Sequence, residues 1–380
     1  MSVDAHHDVV VVGVGGMGSA TVHHLARRGV DVLGLERYGV PHDRGSSHGN
    51  SRIIRLAYHE HPYYVPLLRR AYDLWRDLQD SHGRRLLFTT GSVAAGPPEG
   101  DRVADVVATC ERHDVAYERL PAPALRERFP GYGLPDDYEA VFQADGGYLD
   151  PERCIVAHVE RAHANGATVH GHERVRDWRP TGDGVRVRTS KATYGADHLV
   201  VTAGAWAAGL LPGLEGLAVP ERRVMAWLQP ERPALFAPDR FPVFTLETRA
   251  GTYYGFPVHT RPGFKFGRSP SLPETVDPDA FQSAEPTPQD EELLRGFAEE
   301  YFPAGAGPTL SLETCMLTMS PDDHFVVDRH PEYDSVTVGA GFSGHGFKLS
   351  AVVGEQLATL AVGDEPDFDL SPLAMDRFEG

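Results

Sequence analysis

Two lysines in this chain sit where the neighbouring residues point to chemistry. Lys265 lies in Phe264-Lys265-Phe266-Gly267, and Lys348 closes the run Gly341-Phe342-Ser343-Gly344-His345-Gly346-Phe347-Lys348. Only three of the 36 basic residues are lysine, so a lysine among aromatics and glycines points to a need for a compact ammonium or a titratable amine. Lys191, the third, sits in a polar stretch and carries no such signal. Upstream, Gly45-Ser46-Ser47-His48-Gly49-Asn50-Ser51-Arg52-Ile53-Ile54-Arg55 places two arginines three apart, and the isoleucines between them imply burial. In an extended stretch such a pair faces opposite sides, so one arginine could touch a cofactor while the other grips a carboxylate bidentately. His48 taken alone reads as an ordinary polar histidine. The third group is Cys315-Met316-Leu317-Thr318-Met319-Ser320-Pro321-Asp322-Asp323-His324-Phe325, where a lone cysteine is more often a small buried hydrophobe than a reagent.

These groups need elements to position them. Val9 to Val12 form an apolar run that ends in Gly13-Val14-Gly15-Gly16-Met17-Gly18; Ala20, Val22, Leu25 and Ala26 follow at helical spacing, and a second apolar run from Val30 to Leu35 ends at Glu36. Strand, glycine turn, helix and parallel strand ending in an acid are the ordered context of a dinucleotide fingerprint. Gly13 allows the turn, Gly15 lets the backbone approach a pyrophosphate, Gly18 lets the helix pack on the strand, and Glu36 accepts from a ribose. The motif serves NAD, NADP and FAD alike. A close-packed helix with no ligand is the weaker reading, given the motif's place at the amino terminus.

Farther along, Val65, Leu68, Ala71, Leu74, Trp75 and Leu78 share a helical face, and Asp150-Pro151 opens another helix. Longer strands follow Val219, a proline-rich loop spans Ser269 to Pro288, and a helix covers Asp290 to Tyr301. The tail returns to strand, glycine turn and helix. The expected architecture is α/β: a discontinuous cofactor domain with a parallel sheet (1–85, 140–218 and 320–380), interrupted by a mainly antiparallel sheet-and-helix substrate domain (86–139 and 219–319). At 380 residues two domains are the default. A net charge of −18 argues against nucleic acid, no stretch is long enough to span a membrane, and three scattered cysteines give neither a disulfide framework nor a zinc site. A reducing cytoplasm is the expected compartment.

Taken together, the fingerprint, the 45–55 run, Tyr253-Tyr254-Gly255-Phe256-Pro257, Lys265, the 315–328 run and the 341–348 run resemble the family of monomeric sarcosine oxidase, N-methyltryptophan oxidase and pipecolate oxidase, over essentially the whole chain. The resemblance implies a Rossmann-type FAD domain and oxidation of the C–N bond of a secondary amino acid. The imine then hydrolyses, and dioxygen is reduced to hydrogen peroxide. It implies FAD linked through Cys315, the thiolate favoured by nearby cations, and cofactor contacts at Gly13, Gly15, Gly16, Met17, Gly18, Glu36, Arg52, Val175, Met316, Gly344, His345, Gly346 and Lys348. Arg55 and Lys348 would hold the substrate carboxylate, with Tyr254 and Leu317 beside it. Lys265 would serve dioxygen activation, and Arg52 and His48 would tune the flavin. A monomer is implied.

Two positions depart from that pattern. Leu317 and Ser269 replace polar rings, which turns the expectation from sarcosine toward a larger or more apolar substrate. His59-Glu60-His61 stands where glycines are common at the histidine positions and reads as a loop near the pocket mouth; its spacing fits no usual metal signature. A dehydrogenase or a primary or D-amino acid oxidase keeps the same fold. A non-catalytic dinucleotide-binding protein would need none of Cys315, Lys265 and Lys348.

Overall fold

The structure, a computed structural model, describes residues 3–269, 274–281 and 285–378, so part of the expected proline-rich loop lies outside the described residues. β1 (Ala5–Val12), α1 (Gly16–Arg27) and β2 (Val32–Leu35) form the strand, turn, helix and parallel strand read from the sequence. β3 (Arg52–Ile54) precedes α2 (Tyr64–His82), whose apolar stripe is buried and which ends at Gly83 in the left-handed conformation. Then come β4 (Leu87–Thr89), β5 (Ser92–Gly96), α3 (Arg102–Arg112), β6 (Glu118–Pro121), α4 (Ala122–Arg128), β7 (Glu139–Gln143) and β8 (Gly147–Leu149). α5 (Pro151–Ala164) starts where expected because Asp150 accepts from the Arg153 amide at 3.1 Å, a cap worth about 1 kcal/mol. β9 (Thr168–His170), β10 (Val175–Thr181), β11 (Gly184–Thr189) and β12 (Thr193–Val201) follow.

The chain then lays down β13 (Val219–Leu228), β14 (Val243–Thr248), β15 (Gly251–Phe256), β16 (Phe264–Arg268), α6 (Pro288–Tyr301) and β17 (Thr309–Met319). It ends with β18 (Val326–His330), β19 (Tyr333–Ala340) and α7 (Ser350–Ala361). Among the described residues these strands make two eight-stranded sheets and one three-stranded sheet, β3-β8-β4. The first large sheet runs β10-β11-β12-β1-β2-β9, with β19 parallel to the end of β12 and β18 outside it. Its central strands are parallel and buried on both faces, as continuous valine runs require. α1, α2, α5 and α7 share one apolar core against it, and α1 meets α7 so closely that a Cβ on Gly354 would come within 2.4 Å of Ala20 Cβ.

The second sheet runs β17-β13-β16-β15-β14-β5-β7-β6 and is antiparallel except at β14–β5. Period-two alternation divides it into two unlike faces. Phe244, Tyr253, Phe264 and Phe266 point into a core shared with Phe297 and Phe302 at α6. The intervening residues, among them Lys265, Tyr254, Arg223 and Cys315, face the other way, toward the cavity described below. The expected domain edge at 139/140 is corrected here: it falls inside β7, which pairs with β5 and β6 and belongs to the second sheet. No helix among the described residues is long and apolar enough to cross a membrane.

Candidate active site

A cavity of about 1050 Å³ begins at the glycine turn after β1 and ends under the second sheet. Its first arm is built from backbone. Gly13 sits at φ +90°, and a Cβ there would come within 2.6 Å of the Thr202 carbonyl oxygen. A Cβ on Gly18 would overlap the Gly13 carbonyl oxygen at 1.8 Å, so this glycine lets α1 press against the turn and does not line the cavity. Gly15 is different: its side-chain direction meets nothing within 4 Å and opens into the cavity. With no acid in its first turn and no side-chain cap, α1 presents free amides there. Glu36 lies across this arm, accepting from the amides of Val14 and Tyr38, each at 2.9 Å. Burial pushes its carboxyl up, but His42 and those amides outweigh it and hold the pKa below the ordinary value. Gly16, Met17 and Val175 complete this wall.

The middle of the cavity joins the 45–55 segment to β13, β16 and β17. Cys315 and Leu317 line it from one face of β17. Met316 does not: alternation turns its side chain to the opposite face, leaving its carbonyl to accept from Ser46 Oγ at 2.5 Å. Burial raises the Cys315 thiol, and the charges of Arg52, Lys265 and Arg223 oppose that rise without reversing it. The cations that would favour the thiolate are thus present, and burial outweighs them. Arg52 lines the cavity and donates to the Ser51 and Ser46 carbonyls at 2.8 and 2.6 Å.

Lys265 stands one layer back from the lining. Its amine donates to the Gly49 and Ser51 carbonyls at 2.7 and 3.2 Å and to Ser51 Oγ at 3.1 Å, with the Phe256 ring 4.7 Å away. Burial first, then the Arg52 charge, pushes its pKa well down. His48 also sits behind the lining; burial, then Arg52 and Lys265, lowers its pKa to about 3, so the ring is neutral.

The far end gathers Arg55 and Lys348, with Gly344, His345 and Gly346 along one side, while Tyr254 lines the cavity near Cys315, Arg52 and Arg223. Lys348 lies in a 3-10 turn, Phe347–Leu349, ahead of α7 rather than in the α-helix itself. Its amine donates to the His345 carbonyl at 2.8 Å and reaches the Tyr58 hydroxyl at 3.4 Å; burial lowers its pKa to about 7. Arg55 Nη2 pairs with Glu60 at 2.9 Å and lies 2.7 Å from His59 Nδ1. His59 and Glu60, in the loop read at the pocket mouth, form part of the cavity wall, while His61 is exposed. Among the described residues no group of histidines, cysteines and acids could hold a metal ion. Sequence reasoning missed Tyr58, whose hydroxyl meets His345 Nδ1 at 2.6 Å, and Arg102, which enters from α3. Nothing in the sequence marks either, because both gain their place from partners remote in the chain.

The fold and cavity define a dinucleotide-dependent oxidoreductase, with the cofactor arm on a parallel sheet and the chemistry under an antiparallel one. The chain belongs to the FAD dependent oxidoreductase family, whose profile matches residues 8–360. It is 42% identical to a monomeric sarcosine oxidase of Streptomyces avermitilis, covering 94% of each chain, and 39% identical to one from a Bacillus species, covering 98% of this chain and 97% of the relative. An N-methyl-L-tryptophan oxidase of Salmonella agona is 33% identical over 98% of this chain and 99% of its own. Among solved structures, NikD, described as an unusual amino acid oxidase essential for nikkomycin biosynthesis, superposes with a TM-score of 0.85 at 29% identity, covering 97% of each chain.

Proposed function

We propose that the protein is an FAD-dependent oxidase of secondary amino acids, N-methylated or cyclic, that forms an imine and hydrogen peroxide. The observation that carries this reading is that Arg55 and Lys348, from two different elements, line the same cavity as Cys315 and the glycine turn. The residues fit FAD: a Cβ on Gly15 would enter the space a pyrophosphate needs, Glu36 stands ready for a ribose, and the cavity continues to Cys315. When bound, the flavin accepts two electrons from the substrate and delivers them to dioxygen.

The chain's own residues do the rest. Arg55 and Lys348 bind the α-carboxylate and fix the amine's orientation, Lys348 being charged below about pH 7. Tyr254 closes one side, and Leu317 with Ser269 leaves room for a substituent larger than that of sarcosine. Lys265, held by three oxygens, places its amine to stabilise the charge that develops on dioxygen. Neutral His48 and charged Arg52 tune the flavin. Cys315 would hold the flavin covalently, with Arg52, Lys265 and Arg223 drawing its thiol toward the thiolate against burial. A reducing compartment accords with Cys110 and Cys154, both buried and unpaired.

The test is oxygen uptake and peroxide release over sarcosine, N-methylalanine, pipecolate, proline and their D-forms. Turnover of at least one secondary amine with peroxide release supports the reading, and turnover of primary amino acids alone contradicts it. Acid precipitation should leave the flavin with the protein pellet, whereas Cys315→Ala should release all of it to the supernatant; free flavin from the unaltered protein would refute the link.

A further inference from the structure

Arg102 is a cavity cation that neither the cofactor nor the α-carboxylate accounts for. It opens α3 and lines the same cavity as Arg55 and Lys348. Its Nη1 lies 2.7 Å from His59 Nε2, its Nη2 donates to Thr252 Oγ1 at 3.3 Å, and its Nε is buried with no partner. Among the described residues, no carboxylate forms an ion pair with this guanidinium. Glu60 is taken by Arg55 at 2.9 Å, and Glu247 accepts from Arg102's own backbone N–H at 3.1 Å. A largely buried guanidinium without a carboxylate is costly: burial, and then the Arg55 charge, lowers its pKa to about 10.

His59 cannot satisfy both arginines. Its Nδ1 is 2.7 Å from Arg55 Nη2 and its Nε2 is 2.7 Å from Arg102 Nη1. A neutral imidazole has one acceptor nitrogen and one N–H, and a protonated ring has no acceptor at all. In either state at least one guanidinium meets an N–H where it needs a lone pair. An anion placed between Arg102 and the opposite wall removes this conflict. Thr252, on the same sheet face as Tyr254, already accepts from Arg102 through its Oγ1, and Thr245 Oγ1, buried without a partner, lines the cavity one strand away.

We propose that Arg102 receives a second carboxylate on the substrate, so that the substrate class is N-substituted dicarboxylic amino acids of the N-methylglutamate type. This rests on the secondary amino acid reading above and names its substrate class. One imidazole separates the two guanidiniums, a gap that a two- or three-carbon side chain spans. The α-carboxylate goes to Arg55 and Lys348, the side-chain carboxylate to Arg102, and His59 is left one arginine to serve.

The experiment is calorimetric titration of the holoenzyme with glutarate and with its monoamide, glutaramate, which differ in one terminal charge. Glutarate should bind about 10- to 100-fold more tightly, the range for hydrogen bonds to a charged partner. R102M should bind both alike, and R102K should recover part of the preference. Equal or undetectable binding of the two in the unaltered protein overturns the proposal, as does a preference that survives R102M. If R102M does not fold, the comparison in the unaltered protein decides alone. Peroxide assays separate this failure from that of the underlying reading. A glutarate preference without oxidation of any N-methyl amino acid would sink the oxidase reading alone. Oxidation of N-methylglutamine as readily as N-methylglutamate, beside turnover of other secondary amines, would sink the second-carboxylate site alone.

Discussion

The two ends of the cavity are built on opposite principles. At the cofactor end the groups are satisfied within the protein: Glu36 accepts two backbone amides, and Gly13 and Gly18 exist to let backbone meet backbone. At the substrate end the cations are crowded and under-partnered. Arg55 and Arg102 share one histidine, their Nε atoms are buried without partners, and Lys348 has lost much of its affinity for a proton. A preformed cradle suits an occupant that stays, whereas unsatisfied donors suit a ligand that must be drawn in and released.

The strongest way to break this contrast is at the glycines. Gly18→Ala should cost about 3 kcal/mol or more through overlap with the Gly13 carbonyl and leave little folded protein. Gly15→Ala, whose Cβ meets no protein atom, should keep the melting temperature of the apoprotein while flavin content collapses. Equal loss of fold in both variants would refute the separation of packing glycine from cofactor glycine. Next in size, Lys265→Met should slow reoxidation of the reduced enzyme by about 100- to 1000-fold while substrate reduction changes far less. Comparable slowing of both half-reactions in rapid-mixing experiments would remove Lys265 from its assigned role.

At the substrate end, Arg55→Met should raise KM about 100-fold and move kcat less, a split that reports lost ground-state binding. The smallest effect is on pH. Lys348 is charged below about pH 7 and neutral above it, so affinity for a carboxylate ligand without an amine should fall as pH rises through 7. The fall is at most about tenfold per pH unit and should vanish in Lys348→Met. Affinity that is flat from pH 6 to 8 in the unaltered protein would show that Lys348 stays charged throughout.

The same contrast explains what could be read from the sequence. The cofactor end is local: Val9 to Gly18 and Glu36 carry its pattern within one βαβ unit, and the structure has the same order of strand, turn, helix and parallel strand, with the helix starting at Gly16. Lys265 fell at the end of the strand-rich stretch after Val219, but the strand bearing Cys315 was not read from the sequence, nor were the atoms that either side chain would meet. Lys265 turns to oxygens of Gly49 and Ser51, and Met316 faces away from its neighbour Cys315, because alternation and the 45–55 turn decide these contacts jointly. Arg102 and His59 come from different elements, and no spacing rule links them. β6 and α4 escaped notice because both are short and largely exposed, with little apolar periodicity to mark them.

The most direct test of the central claim is the stoichiometry of the holoenzyme under air with a turned-over N-methyl amino acid. One hydrogen peroxide released for each secondary amine consumed is the predicted result. Amine consumption that reduces an added dye but yields no peroxide would contradict the oxidase assignment.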